Sequence, residues 1–278
     1  MTPTLDALAR DSGTFLMVAM DQRESLRTMM GGDAPDERLV AFKLAVAREL
    51  SPYASAFLID RHFGFEQVVR EGLAACSVIL AADALEDAGG VVQDTDVDEA
   101  VEPEGAVALK FLVIWRDDDE RPRRLETARR FVELAESHGL LSVLEGIVRV
   151  PDEAQRDDAI VEAAQELSSV GPSLYKVEVP QHGRGDADAI TRRCREIDAV
   201  VPMPWVVLSN GVELADFPRA VEASCRGGAS GMLAGRAIWS DVVHADDPAP
   251  LLREVSVPRL QGLAEIVDRL GRPWRETS

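Results

Sequence analysis

Short apolar runs rich in branched residues recur along the chain, at 15–21 (FLMVAMD), 56–60, 76–83, 106–115, 141–148, 174–180, 205–211 and 231–239. Each reads as a strand, which makes eight. Between most of them apolar residues return at i, i+3, i+4 and i+7, and this predicts amphipathic helices over 36–50, 123–138, 153–169, 186–199 and 214–227. The second unit is the leanest, since 61–75 has to supply a short helix. Segment 86–104 (EDAGGVVQDTDVDEAVEPE) keeps neither period and reads as a long acidic loop between the third and fourth strands.

Near-continuous apolar strands that alternate with helices imply a parallel sheet covered on its outer side. Eight such units in 278 residues match a closed (β/α)8 barrel that takes in residues 1–278 as one domain. The competitor is an open doubly wound sheet. No GxGxxG follows the first strand, and polar residues gather at strand ends along the whole chain, so the barrel is preferred. Helix punctuation agrees: His138 falls in a last turn with Gly139 at the stop, and Gly227-Gly228 closes another helix.

A formal charge of −19 argues against nucleic acid or an anionic membrane as a partner. The densest basic stretch, RPRRLETARR at 121–130, is interleaved with acids at helical spacing and reads as a solvated helix face. No apolar run reaches the roughly 18 residues of a membrane span, and the start MTPTLDALARDSGTF has no leader pattern, so a cytoplasmic protein is expected. Cys76, Cys194 and Cys225 read as reduced, packed thiols. His62, His138, His182 and His244 have no ligand spacing, so neither a metal nor another cofactor is expected; His62 and His182 read as solvated loop residues.

Of 30 basic residues all but Lys43, Lys110 and Lys176 are arginine. Lys43, in ERLVAFKLAVAREL, reads as a solvated helix residue, whereas Lys110 and Lys176 interrupt apolar strands. Alternation along a strand puts Leu174, Lys176 and Glu178 on the barrel's interior face, and Ala108, Lys110 and Leu112 likewise. A buried amine next to a second ammonium loses its proton more readily and becomes a nucleophile for a ketone carbonyl. The alternative is a structural ion pair of Lys176 with Glu178 or Glu145. Glu145, inside LSVLEGIV, is the best acid/base candidate, because burial is expected to raise its pKa. Asp21 and Gln22 follow the first strand, Asp60 the second and Asp83 the third; Asp21 and Asp60 are expected to hold the lysines and substrate hydroxyls. Ser209-Asn210-Gly211 and Ala234-Gly235-Arg236 end the last two strands, where such barrels hold anions.

The blocks AMDQRESLRTMM (19–30), ELSPYASAFLID (49–60), ALKFLVIWR (108–116), SHGLLSVLEGIVR (137–149), LYKVEVP (174–180), MPWVVLSNGV (203–212) and GASGMLAGRAIW (228–239) carry a resemblance over nearly the full length. The chain resembles the class I ketose-bisphosphate aldolases, the tagatose 1,6-bisphosphate aldolase type, and most closely the sulfofructosephosphate aldolases. The resemblance implies that Lys176 forms a Schiff base with the dihydroxyacetone phosphate half and that Glu145 is the general acid/base. It puts Asp21, Gln22 and Lys110 in the active site, and Ser209, Gly211, Gly235 and Arg236 at the phosphate. It implies cleavage between C3 and C4, of 6-deoxy-6-sulfofructose 1-phosphate in the first place, with tagatose 1,6-bisphosphate as the alternative, and a homo-oligomer. A sugar-phosphate-binding barrel without catalysis is the alternative of another class. Three features depart from the family pattern: Gly146 stands where proline is expected, Asn210 where the sulfosugar enzymes tend to have serine, and the loop Arg61-His62-Phe63-Gly64 differs. These departures are expected near substrate, with Arg23 and Arg61 as candidate anion contacts.

Overall fold

In the computed structural model, which describes residues 3–88 and 90–277, parallel strands close into a barrel: β1 (Phe15–Met20), β2 (Ala56–Asp60), β3 (Ser77–Ala81), β6 (Ala108–Trp115), β7 (Leu141–Val148), β8 (Leu174–Glu178), β9 (Trp205–Leu208) and β10 (Gly231–Ala234). Neighbours in sequence are neighbours in the wall, and β10 closes onto β1 with Phe15 opposite Gly231. The fold is a (β/α)8 barrel. The helices α2 (Asp36–Leu50), α3 (Phe65–Arg70), α4 (Arg121–Ser137), α5 (Arg156–Ser168), α6 (Ala187–Asp198) and α7 (Phe217–Arg226) fall where the periodicity predicts them. Two more, α1 (Glu24–Met29) and the C-terminal helix Val257–Leu270, complete the outer ring. His138 is the C-cap of α4, as expected.

Two apolar layers result from strand alternation. Phe15, Met17, Leu58, Ile79, Val143, Leu174, Val206 and Leu233 fill the lower barrel, while Tyr175, Val177 and Val179 face the helices. The run 231–239, expected as one strand, stops at Ala234, and α8 (Arg236–Trp239) takes up the remainder. Gly235 makes this bend against β1, since a Cβ there would lie 2.3 Å from the carbonyl oxygen of Ala19. The indole of Trp239 donates to that same oxygen at 3.0 Å.

Lys43 corrects an expectation, because it is fully buried. It shares the inward stripe of α2 with Leu39, Phe42, Val46, Ala47 and Leu50, and its ammonium pairs with the equally buried Asp60. Burial lowers its pKa while Asp60 opposes the shift.

The segment after β3 corrects another. Instead of a loop it carries an antiparallel pair, β4 (Asp83–Ala88) and β5 (Val91–Val97). Polar residues on its outer side hid the alternation, but Thr95 and Val97 are buried. The Thr95 hydroxyl donates to the Leu112 carbonyl at 2.6 Å, and the Leu112 amide donates to Asp83 at 2.6 Å. The hairpin is therefore stitched to β6. From its other side α4 holds it by ion pairs, Arg123 to Asp94 at 2.7 Å and Arg130 to Glu99 at 2.5 Å. The basic stretch 121–130 is the solvated helix face expected at Arg123 and Arg129, laced with ion pairs, while Arg124 is buried against Asp118.

Candidate active site

At the C-terminal ends of the strands a cavity of about 280 Å³ opens. β6 sends Lys110 into its floor, β7 sends Glu145, and β8 sends Lys176; the adjacent register Glu145↔Lys176 brings the last two side by side. All three are buried, at 2%, 7% and 4% exposure respectively. One carboxylate oxygen, Glu145 Oε2, lies 2.9 Å from both Lys176 Nζ and Lys110 Nζ. Lys110 has two further partners, Asp21 at 2.9 Å and Asp83 at 3.2 Å. The two lysines are thus unequal: one is enclosed by three carboxylates, the other meets one.

The charges follow from that inequality. Burial alone would lower the Lys110 pKa, but Asp21, Asp83 and Glu145 outweigh it and raise it well above the ordinary lysine value. Burial would raise Asp21, yet Lys110 and Lys176 hold it well below the carboxylate range. Asp83 is the exception, pushed up by burial despite Lys110 and Arg23. For Glu145 the expectation is overturned: burial does raise it, but Lys110 and Lys176 prevail and hold it below its ordinary value. In this state Glu145 is an ionised acceptor, ready to take a proton.

A model of the DeoC/LacD family aldolases matches residues 15–241. The chain belongs to this family. It is an aldolase, hence a carbon–carbon lyase. Tagatose 1,6-diphosphate aldolase of Staphylococcus aureus strain JH9 is 25% identical, over 98% of this chain and 97% of that protein. Among solved structures, an archaeal fructose-1,6-bisphosphate aldolase, with its catalytic lysine bound to the carbinolamine intermediate of its substrate, superposes with a TM-score of 0.65 at 18% identity. That match covers 95% of this chain and 98% of the other. The fructose-bisphosphate aldolase of Slackia heliotrinireducens DSM 20476 gives 0.68 at 18% identity, over 95% and 88%. These two likenesses show the shared barrel.

In this aldolase Lys176, Glu145, Asp21 and Lys110 converge as the sequence suggested, and Gln22, Arg23 and Arg236 line the same cavity. Gln22 presents a buried Oε1 without a hydrogen-bond donor among the described residues. Asp60 and Arg61 stand apart. Asp60 is consumed by Lys43 and by the amides of His62 at 2.9 Å and Phe63 at 3.0 Å; Arg61 reaches away to Asp98 at 3.1 Å and the Ala100 carbonyl at 2.7 Å. Ser209, Gly211 and Gly235 also fall outside the cavity lining, where Asn210 and Arg236 represent the last two strands. Gly211, at φ 74°, packs on the ring of His182, which itself is bonded to Glu153 at 2.6 Å rather than solvated.

Several lining residues escaped the sequence reading as members of the site. Asp83 stood only as one strand-end carboxylate among several. Arg149, directly after β7, has no carboxylate partner among the described residues and is exposed at the rim. The hairpin contributes Leu85, Val91 and Val92 as a roof. Gly146, expected near substrate, faces the helix layer instead: a Cβ there would meet the Tyr175 hydroxyl at 2.4 Å and Leu167 at 3.1 Å. The departure at 146 is thus matched to a tyrosine at 175.

Proposed function

We propose that this aldolase works through a Schiff base on Lys176, with Glu145 moving the proton, and that it releases dihydroxyacetone phosphate. The observation that carries the reading is the unequal partnering of the two lysines. Lys110, enclosed by three carboxylates, is held charged and has no free electron pair. Lys176 is the amine left for chemistry, and Glu145 is hydrogen-bonded to it at 2.9 Å.

Lys176 Nζ gives a proton to Glu145 and adds to C2 of the ketose to form a carbinolamine; Glu145 returns that proton to the carbinolamine hydroxyl, which leaves as water from an iminium. The Glu145 carboxylate takes the proton of the C4 hydroxyl. The C3–C4 bond breaks, its electron pair moves into the iminium to give an enamine, and the aldehyde departs. Glu145 returns its proton to C3, and water hydrolyses the new iminium to free the lysine and dihydroxyacetone phosphate. Throughout, Lys110 keeps a positive charge beside developing oxyanions, and Asp21 anchors it.

Arg236, at the end of the last strand, suits the phosphate of the ketose, and Arg149 and Arg23 suit an anion at its far end. The first reading of that far group is the sulfonate of 6-deoxy-6-sulfofructose 1-phosphate, supported by the motif resemblance and by Arg149, exposed at the rim with no carboxylate partner among the described residues. The second is the phosphate of tagatose 1,6-bisphosphate, favoured by the name of the relative that spans 98% of the chain. Borohydride reduction with dihydroxyacetone phosphate is expected to leave the adduct mass on the Lys176 peptide alone. An adduct elsewhere, or none, sinks the Schiff-base reading. Release of dihydroxyacetone phosphate from the two ketoses, compared at equal concentration, decides between the far groups.

A further inference from the structure

Behind the cavity wall lies a buried polar chain that the proton chemistry above does not use. Glu178, only 2% exposed, bonds neither lysine. Its Oε2 accepts the Val148 amide at 2.8 Å. Its Oε1 accepts from Asn210 Nδ2 at 3.1 Å and lies 3.2 Å from Nη2 of Arg156, a guanidinium 5% exposed. Asn210 Oδ1 in turn accepts from Arg236 Nη2 at 2.6 Å. A carboxylate can only accept and a guanidinium can only donate, so the amide between them has one orientation that satisfies both.

We infer that Glu178, held by Arg156, is a positioning residue: it fixes the amide of Asn210 and thereby aims the guanidinium of Arg236 at the anionic end of the substrate. The inference rests on the reading of Arg236 as the phosphate contact. Its physical basis is the donor count around Glu178. The Val148 amide and the Asn210 side chain each donate to one carboxylate oxygen, and the Arg156 guanidinium lies beside them as an ion pair, without a hydrogen bond to either oxygen. A glutamine has one oxygen and an amino group. Its amino group must face one of those donors, and the Asn210 amide can relieve the conflict only by turning over. Its amino group then opposes Arg236, donor to donor, and the guanidinium loses its support. Arg236 has reason to need such support, because burial disfavours its charge and no carboxylate lies within ion-pair distance of it among the described residues.

The test compares Glu178→Gln, Asn210→Ala and the double variant, with dihydroxyacetone phosphate and unphosphorylated dihydroxyacetone as probes. Each single variant should weaken dihydroxyacetone phosphate binding roughly tenfold, the scale of one charge-assisted contact. Borohydride trapping at saturating ligand should keep its wild-type extent. Affinity for unphosphorylated dihydroxyacetone should hold, so that the preference for the phosphorylated probe falls. The double variant should be no weaker than the worse single one, because both act along one chain. Full additivity, or equal losses for both probes, overturns the inference. Should Glu178→Gln fail to fold because Arg156 is stranded, Glu178→Gln combined with Arg156→Met removes the buried charge and must show the same selective loss. An absent adduct in the wild type would condemn the Schiff-base reading; a normal adduct with unchanged probe preference in the variants would condemn the positioning role alone.

Discussion

Replacing Lys110 with methionine removes the positive charge that three buried carboxylates share. Its ammonium lies 2.9 Å from Asp21, 2.9 Å from Glu145 and 3.2 Å from Asp83. At such separations each pair attracts by roughly 5 kcal/mol at an effective dielectric of about 20. The desolvation of four charges offsets most of that sum, and what remains measurable is the loss of one partner, about 3–5 kcal/mol. For a chain of this length that corresponds to a fall in Tm of roughly 10 °C.

The pH dependence is the sharper readout. Asp21 and Glu145 are held below their ordinary values of 3.8 and 4.5, burial opposing and the lysines prevailing. A carboxyl depressed on folding contributes stability that is present above its unfolded value and lost as pH falls through its folded one. The wild type should therefore keep this contribution above about pH 5 and lose it in stronger acid. Without Lys110, Asp83, already raised by burial, rises further, and Asp21 and Glu145 lose one of the charges that hold them down. A raised carboxyl binds its proton more tightly in the folded state, so stability falls as pH rises above the unfolded value. Melting scans at a fixed rate between about pH 4 and pH 8 should show the variant gaining on the wild type toward acid. An unchanged Tm, or a constant offset across that range, would refute the account of Lys110 as the shared counter-ion.

Lys43→Met should cost about 3–5 kcal/mol in denaturant unfolding by stranding Asp60, and Lys43→Met with Asp60→Asn, which still accepts the amides of His62 and Phe63, should recover most of it. Gly146→Ala should lose about 1–3 kcal/mol through its clash with the Tyr175 hydroxyl. Tyr175→Phe removes a buried hydroxyl that has no partner among the described residues, so alone it should be neutral within about 1 kcal/mol and should rescue part of the Gly146→Ala loss. Arg149→Ala should raise KM about tenfold for a ketose with an anionic far end and leave dihydroxyacetone phosphate affinity unchanged in titrations.

The parts of the site that lie on strands were legible because a two-residue period fixes a side chain's face without knowledge of its partners. Lys110, Glu145 and Lys176 were found in that way. Partnership is another matter: that Glu145 would serve both lysines depends on the register of β6, β7 and β8, and the direction of its pKa turned on that sharing. Asp60 and Arg61 sit at a strand end like Asp21, yet the nearest cation to Asp60 is on α2 and the nearest carboxylate to Arg61 is Asp98. Lys43 was misjudged by its charge, although its place in the stripe with Leu39, Val46 and Leu50 already pointed inward. The hairpin was hidden because only alternate residues of it are buried, and its acidic side is neutralised by arginines from a distant helix.

That hairpin also divides the labour of the molecule. The floor of the cavity is set in the barrel wall, where a changed side chain disturbs neighbouring strands and the packed core. The roof, Leu85 with Val91 and Val92, belongs to a two-stranded excursion held on by a few polar stitches and surface ion pairs. Substitutions there leave the lysine chemistry intact while reshaping the space for the departing aldehyde. Under the covalent step proposed above, segment 85–92, which leaves Asp83 on Lys110, is the place to graft from one aldolase to another when a new cleavage partner is wanted.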